Sequence, residues 1–333
     1  LNPTSLANPD LHWEHTRKSQ VSLDLGFLQD RILLTAAYYR DRTSDQLVNQ
    51  PLSTVTGFAA FKVNSPALIE NTGFEGTLTM HNMKRKNFSW TTNIVLTVPR
   101  NKLVDYPGFN LFEINNNYVL GKSINGIRLY KYAGVEPQTG NYNFYKEGVK
   151  GEFLPFLGPV QLDPKTDKTE FVDLNPKYYG SINNSFQYKN LTFGFMVAVI
   201  NRMGRNFLGQ QNVIAGISNM NTVREFLGRW QKPGDVTEIP KPQAGVMALL
   251  LQNNFYYSTG AFSKATYARL SNVNIAYDFT GKFLMRARIK ALRVLLQGQN
   301  LLTVSQYKNL DPENLGAGQA PTRTYSAGIN LTL

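Results

Sequence analysis

The sequence predicts an all-β chain folded as part of a transmembrane antiparallel β-barrel, and three observations carry that prediction. Side chains alternate between apolar and polar with period two, the alternating segments are long, and short and long connections between them alternate strictly. Period-two alternation puts successive side chains on opposite faces of a strand. The segments mostly run to ten residues or more, against about 5–6 in soluble sheets and about 9–11 for a tilted membrane-crossing strand.

Nine strands follow in order, at 16–27, 31–46, 71–82, 87–98, 177–188, 191–202, 264–279, 289–302 and 322–333. In the first, Val21, Leu23, Leu25 and Phe27 alternate with Gln20, Ser22, Asp24 and Gly26. In the third, Phe74, Leu78 and Met80 oppose Glu75, Thr77, Thr79 and His81. The fifth sets Tyr178, Gly180, Ile182, Phe186 and Tyr188 against Tyr179, Ser181, Asn183, Ser185 and Gln187. The last sets Tyr325, Ala327, Ile329, Leu331 and Leu333 against Thr324, Ser326, Gly328, Asn330 and Thr332. Tyr38, Trp90, Tyr178 and Tyr325 fit the aromatic girdles of such a wall.

Short connections fall at Leu28–Asp30, at the basic turn Asn82–Lys86, at Lys189–Asn190 and at Thr280–Arg288; long ones fall at 47–70, 99–176, 203–263 and 303–321. Loops beyond about 15 residues are uncommon in compact soluble domains, whereas outer-membrane barrels sort short periplasmic turns and long surface loops to opposite rims. With that sorting, the first and last strands both run inward and Leu333 is periplasmic. An odd strand count with this geometry is expected of a piece of a barrel, since complete bacterial barrels have even counts.

Composition narrows the function classes. The chain has 333 residues, 42% hydrophobic and 12% aromatic, with only 17% charged. The +12 net charge is scattered rather than clustered, so nucleic-acid binding is not expected. The absence of cysteine excludes disulfides, Cys-based zinc sites and Cys nucleophiles. The longest apolar runs, Phe193–Ile200 and Val246–Leu251, fall far short of the about 20 residues a spanning helix needs. The three histidines His12, His15 and His81 sit in no nucleophile elbow, and Gly121, Gly126 and Gly134 are too widely spaced for a dinucleotide fingerprint. His12 and Glu14 share a side in an extended segment while His15 points away, which reads as a solvated loop. Neither catalysis, nor a cofactor, nor a metal is expected.

Several segments resemble the SusC/RagA-like TonB-dependent outer-membrane transporters. Asn8-Pro9-Asp10-Leu11-His12-Trp13-Glu14 is similar to the segment that precedes a barrel strand in that family. Tyr38-Tyr39, Thr43-Ser44-Asp45, Pro51-Leu52 and Thr56-Gly57-Phe58 follow in family order, then the strand start Asn71-Thr72-Gly73-Phe74-Glu75. Tyr130 to Gly140, YKYAGVEPQTG, resembles a family loop motif, as does Arg229-Trp230 with Lys232-Pro233-Gly234-Asp235-Val236-Thr237. Tyr267 to Asn272 and Gly298 to Thr303, with Asp311-Pro312-Glu313, complete the set. The chain departs from the family in ending on Leu333 instead of an aromatic residue.

The resemblance implies a 22-stranded barrel of which residues 1–333 are the C-terminal part, with the plug domain and earlier strands outside this chain. It implies active import of oligosaccharides or peptides, driven by TonB-ExbB-ExbD through the missing N-terminal part, under a SusD-like surface lipoprotein. Outer-membrane lipids and a dimer or larger complex are further expected partners. The alternative is a SusC-like barrel serving as a scaffold in a larger outer-membrane assembly. Loop aromatics interleaved with amides are the candidates for substrate or lid contact: Tyr118, Tyr130, Tyr132, Tyr142, Trp230, Tyr256 and Tyr257. The competing role for each is to pack the loops on themselves.

Overall fold

A computed structural model describes residues 6–108, 118–146, 149–150, 162–209, 224–281, 284, 286, 288–307, 311–315 and 319–333. The loop aromatics Phe109 and Phe112 and parts of the 280–288 connection lie outside these residues. Nine strands form one antiparallel sheet in which sequence neighbours are sheet neighbours throughout. They are β1 His15–Phe27, β2 Ile32–Ser44, β3 Leu68–Arg85, β4 Phe88–Asp105, β5 Tyr178–Tyr188, β6 Leu191–Asn201, β7 Tyr267–Phe279, β8 Ala291–Ser305 and β9 Thr324–Thr332. No helix is long and apolar enough to cross a membrane among the described residues.

All nine expected strands are present, with one notable difference: the hairpin of β3 and β4 is longer at both ends than the alternation indicates. A bulge between His81 and Met83 absorbs one residue, so pairing continues to Arg85 opposite Phe88 and the basic run Lys84-Arg85 is strand, not turn. At the other end Glu70 pairs with Lys102, and the ladder carries on to Leu68 opposite Asp105. The short-turn rim is built on left-handed backbone: Leu28, Gln29 and Asp30 have φ of 55°, 56° and 61°, and Lys189 has φ of 50°.

The register sorts the two faces. Row by row across the sheet, Leu25, Leu34, Leu78, Ile94, Ile182 and Val197 align on one face. Further along, Phe193, Ile275, Leu296 and Ala327 continue that face. On the other face Asp24, Thr35, Thr77 and, beyond them, Asn183, Asn272, Gln299 and Thr324 align. The apolar face is not covered: Val21, Leu23, Leu296, Tyr325 and Ile329 are all more than half exposed. A soluble monomer does not present a contiguous apolar face of this extent, but a barrel wall presents it to lipid.

A cluster of polar groups interrupts that face. Near the short-turn rim, Asn184 on β5 accepts from Thr92 Oγ1 at 2.7 Å and from Trp90 Nε1 at 3.0 Å, both on β4. Thr92 Oγ1 in turn accepts from Asn82 Nδ2 at 2.7 Å. Phe186 stacks on Trp90 at 5.5 Å and Phe193 lies 5.9 Å beyond it, so this knot is satisfied internally and flanked by rings. A polar group facing hydrocarbon is tolerable only on such terms.

The sheet is a single layer, so the compact apolar core lies elsewhere, in the long loops. These carry their own elements: the hairpin Leu47–Pro51 with Ala60–Asn64, the pair Gly126–Leu129 with Glu170–Asp173, and the hairpin Tyr132–Val135 with Tyr142–Lys146. They also include Met203–Arg205 with Phe262–Lys264, and a helix, α1, at Gly245–Tyr256. The alternation rule does not anticipate α1, because its Val246–Leu251 run is apolar without a period. With 12 residues it buries Ala248, Leu251 and Phe255 within the loops.

Candidate functional site

At the long-loop end the loops close into a body with its own core, made of Leu129, Tyr130, Tyr142, Phe144, Leu208, Phe226, Leu251, Phe255 and Phe262 among others. Phe255 of α1 stacks on Tyr142 with centroids 4.1 Å apart and meets Tyr132 edge-on at 5.2 Å. The main chain of Tyr130 locks the layers together, donating to Tyr257 O and accepting from Thr259 N, both at 2.9 Å. Ser258 makes the turn after α1, its hydroxyl donating to Phe255 O and accepting from Gly260 N.

Five of the expected site residues meet in this body. Tyr130 and Tyr142 are 4% and 3% exposed, and Tyr132 packs beside them, half-buried. Tyr256 lies 3.5 Å from the Arg205 guanidinium, and Lys168 sits 4.7 Å over Tyr257. Trp230 stands at the edge, donating Nε1–H to Pro137 O at 2.8 Å, with Lys241 over its ring. Gly140 lies so close to Trp230 that any Cβ there would overlap the indole, and its φ of +71° also demands glycine.

Burial governs the ionisation of this body. Desolvation raises the Tyr142 phenol well above the usual tyrosine range, with a smaller contribution from Tyr132. Desolvation raises Tyr132 as well, aided by Glu238. Burial and then the charge of Arg128 lower the Lys168 ammonium. A group whose folded pKa is raised contributes stability that is intact below its unfolded pKa, near 10 for tyrosine, and is lost as pH rises toward the folded value. We therefore expect the loop body to loosen above about pH 10, with Tyr132 and Tyr142 ionising only as it opens. Phenolate absorbance followed alongside hydrogen exchange of residues 126–146 checks this; early ionisation without loosening would contradict it.

The seventh residue, Tyr118, is elsewhere. It lines a cavity of about 630 Å³ between the Leu47–Pro51/Ala60–Asn64 hairpin and the rim of β3 and β4. The floor is Ile69 and Leu103, which are directly paired and lie on the polar face of the sheet, that of Thr77 and Glu75. Val48, Pro51 and Val63 supply apolar wall, and Gln46, Asn49, Gln50 and Asn64 supply amides, while Tyr106 joins Tyr118 at the side. The lining carries no charged side chain among the described residues. The volume is within the range of about 300–1,000 Å³ typical of ligand pockets. Alternation alone puts the 47–70 stretch in a loop and misses this wall; the Gln46-Leu47-Val48-Asn49-Gln50 mixture of amide and apolar residues is the signal that points to it.

A nine-stranded antiparallel meander, apolar on one face and polar on the other, with turns at one rim and folded loops at the other, is a portion of a transmembrane β-barrel. No protein-family model matches the chain. By sequence it is 25% identical to TonB-dependent receptor P3 of Formosa agariphila, covering 98% of this chain and 35% of that protein. It is 24% identical to the TonB-dependent receptor SusC of Bacteroides thetaiotaomicron, covering 97% and 32%. By structure it superposes on the RagAB peptide transporter with a TM-score of 0.78 at 22% identity, covering 98% of this chain and 36% of that one. The chain thus resembles TonB-dependent receptors, SusC among them, in sequence and shares the fold of the RagAB transporter, and it spans about a third of the length of the curated relatives it matches.

Proposed function

We propose that this chain is the C-terminal part of the barrel of an outer-membrane importer, the channel subunit of a SusCD-like complex that takes up oligosaccharides or peptides. The observation that carries this reading is the cavity floored by Ile69 and Leu103, which opens on the polar face of the wall at the long-loop end. An uncharged pocket of apolar walls and amides suits neutral polymer segments, with rings and methyls packing on the cargo and amides exchanging hydrogen bonds. The likeness in sequence to SusC and to other TonB-dependent receptors supports the same reading, and the RagAB peptide transporter shares the fold. In this proposal the long loops are extracellular, the turns and Leu333 are periplasmic, and the plug and TonB contacts belong to the rest of the protein. Tyr118 and Tyr106 touch cargo, while Tyr256, Tyr257 and Trp230 shape the loop body against a SusD-like lipoprotein.

Val48→Trp fills the cavity from an exposed position, so the fold tolerates it. We expect uptake of labelled peptides or oligosaccharides by cells carrying the full-length protein to fall about tenfold, the effect of losing one well-packed contact. The same uptake should vanish when TonB is deleted. Uptake indifferent to both changes would sink the import reading and leave the scaffold reading in its place.

A further inference from the structure

On the apolar face of the wall, the rows of residues just beyond the aromatic ring level change character abruptly. Val21, Tyr38, Phe74 and Val98 form one row across β1 to β4. The next row toward the long loops is Ser19, Arg40, Thr72 and Arg100, and the one after is Arg17, Arg42, Glu70 and Lys102. Five cations thus share one face with a single carboxylate. Glu70, with its side chain 4% exposed, lies at the base: it accepts from Arg40 Nη2 at 2.7 Å, Arg42 Nε at 2.8 Å and Lys102 Nζ at 2.9 Å. The side chains of those three cations remain 40–50% exposed. Arg100 caps the carbonyls of Pro99 and Lys177 through one nitrogen, and Arg17 makes no ion pair among the described residues.

Two features distinguish this patch from a solvated charged rim. Arg17 and Arg42 are directly opposite on adjacent strands, a destabilising like-charge pair, and the one carboxylate of the patch, Glu70, is already shared among Arg40, Arg42 and Lys102. The depth also matches. Residues two apart on a strand are separated by about 6.6 Å, so the two rows stand roughly 7 and 13 Å beyond the Tyr38–Phe74 row along strands that tilt about 45°. Along the membrane normal that is about 5 and 9 Å; the polar zone on each side of the hydrocarbon core is about 5–8 Å thick, so the first row falls within it and the second at its outer edge.

We propose that Arg17, Arg40, Arg42, Arg100 and Lys102 form a binding site for the phosphate of an anionic lipid headgroup, with Glu70 as the buried anchor that holds three of the cations in place. Ser19 and Thr72 lie in the patch as hydroxyl donors to the same phosphate. The site rests on the transmembrane reading of the wall but not on any transport activity.

The test uses the full-length protein in detergent, with native mass spectrometry reading retention of monophosphoryl lipid A, of the same lipid dephosphorylated, and of inorganic phosphate. The variant combines Arg17→Glu with Arg100→Gln and leaves the Glu70 cluster intact; the carboxylate introduced on β1 faces Arg42 across the strand pair, so the fold is preserved. We expect the wild type to prefer the phosphorylated lipid, and the variant to bind it about tenfold more weakly with unchanged melting and unchanged binding of the dephosphorylated lipid. Equal retention of the phosphorylated lipid by both proteins would overturn the site. Binding of inorganic phosphate as tight as that of the lipid would overturn its assignment to a headgroup. Heat-modifiable migration of the wild type reports the barrel separately: if it is absent, the transmembrane reading itself fails.

Discussion

Replacing Arg269 with alanine is expected to cost about 3–5 kcal/mol and to free the connection between β8 and β9, the loss typical of breaking a buried ion pair from one side. Arg269 is 3% exposed on β7 and is committed to the loop that returns over it and to the neighbouring strand. Its Nη2 donates to Asp311 at 2.7 Å, its Nη1 to the Glu313 carboxylate, and its Nε to Thr303 Oγ1 at 3.0 Å on β8. Asp311 also accepts from Glu313 N, which makes the acidic turn a preformed receptor for the guanidinium. With alanine, Asp311 stays buried and loses its counter-charge. Arg269→Lys keeps the charge but loses the planar fork, so it should fall between the two. Urea melts of the full-length barrel and proteolysis of the loop after Ser305 report the effect; a variant as stable and as protected as the wild type would refute it.

The second large effect concerns the loop body. Phe255→Ala should cost that body about 3–5 kcal/mol, the range for deleting a buried phenylalanine. Phe255 is 1% exposed and touches both Tyr132 and Tyr142, so the cavity left behind would be walled by rings that cannot collapse without moving the Tyr132–Val135 hairpin. Because this core is separate from the single-layer wall, heat-modifiable migration should survive while protease sites between residues 126 and 262 open. Loss of the folded barrel in step with the loops would show that the two are one cooperative unit, contrary to this expectation.

How much of the molecule is legible in the sequence follows from which physical signal is strong. A strand with one face in lipid and one in a polar interior must alternate, and β5, β6 and β9 can be read to within one or two residues for that reason. The ends of β3 and β4 cannot, since the bulge after His81 shifts the phase and the charged rows beyond Phe74 carry no apolar face. Helix α1 is hidden because its apolar residues have no period: Ala248, Leu251 and Phe255 are buried, but Val246, Leu249 and Leu250 between them are just as apolar and stay exposed. The loop aromatics are recognisable as a class, but whether a ring packs or binds depends on partners far away in sequence. Tyr142 is buried by Phe255 from α1, whereas Tyr118 is left lining a cavity because the hairpin at 47–64 stops short of filling it.

The hydrogen-bonded knot of Asn82, Thr92, Asn184 and Trp90 has a consequence for assembly. Strands β4 and β5 are separated by residues 106–177, so nothing local tells one where to dock along the other. In a hydrocarbon setting a slip of one residue would turn Asn184 to the opposite face and strand the Thr92 hydroxyl and the Trp90 indole N–H without an acceptor. Only one alignment discharges all of these groups at once. The polar residues on the lipid side thus act as a proofreading mark for strand register, placed at the seam where the connecting chain offers the least guidance.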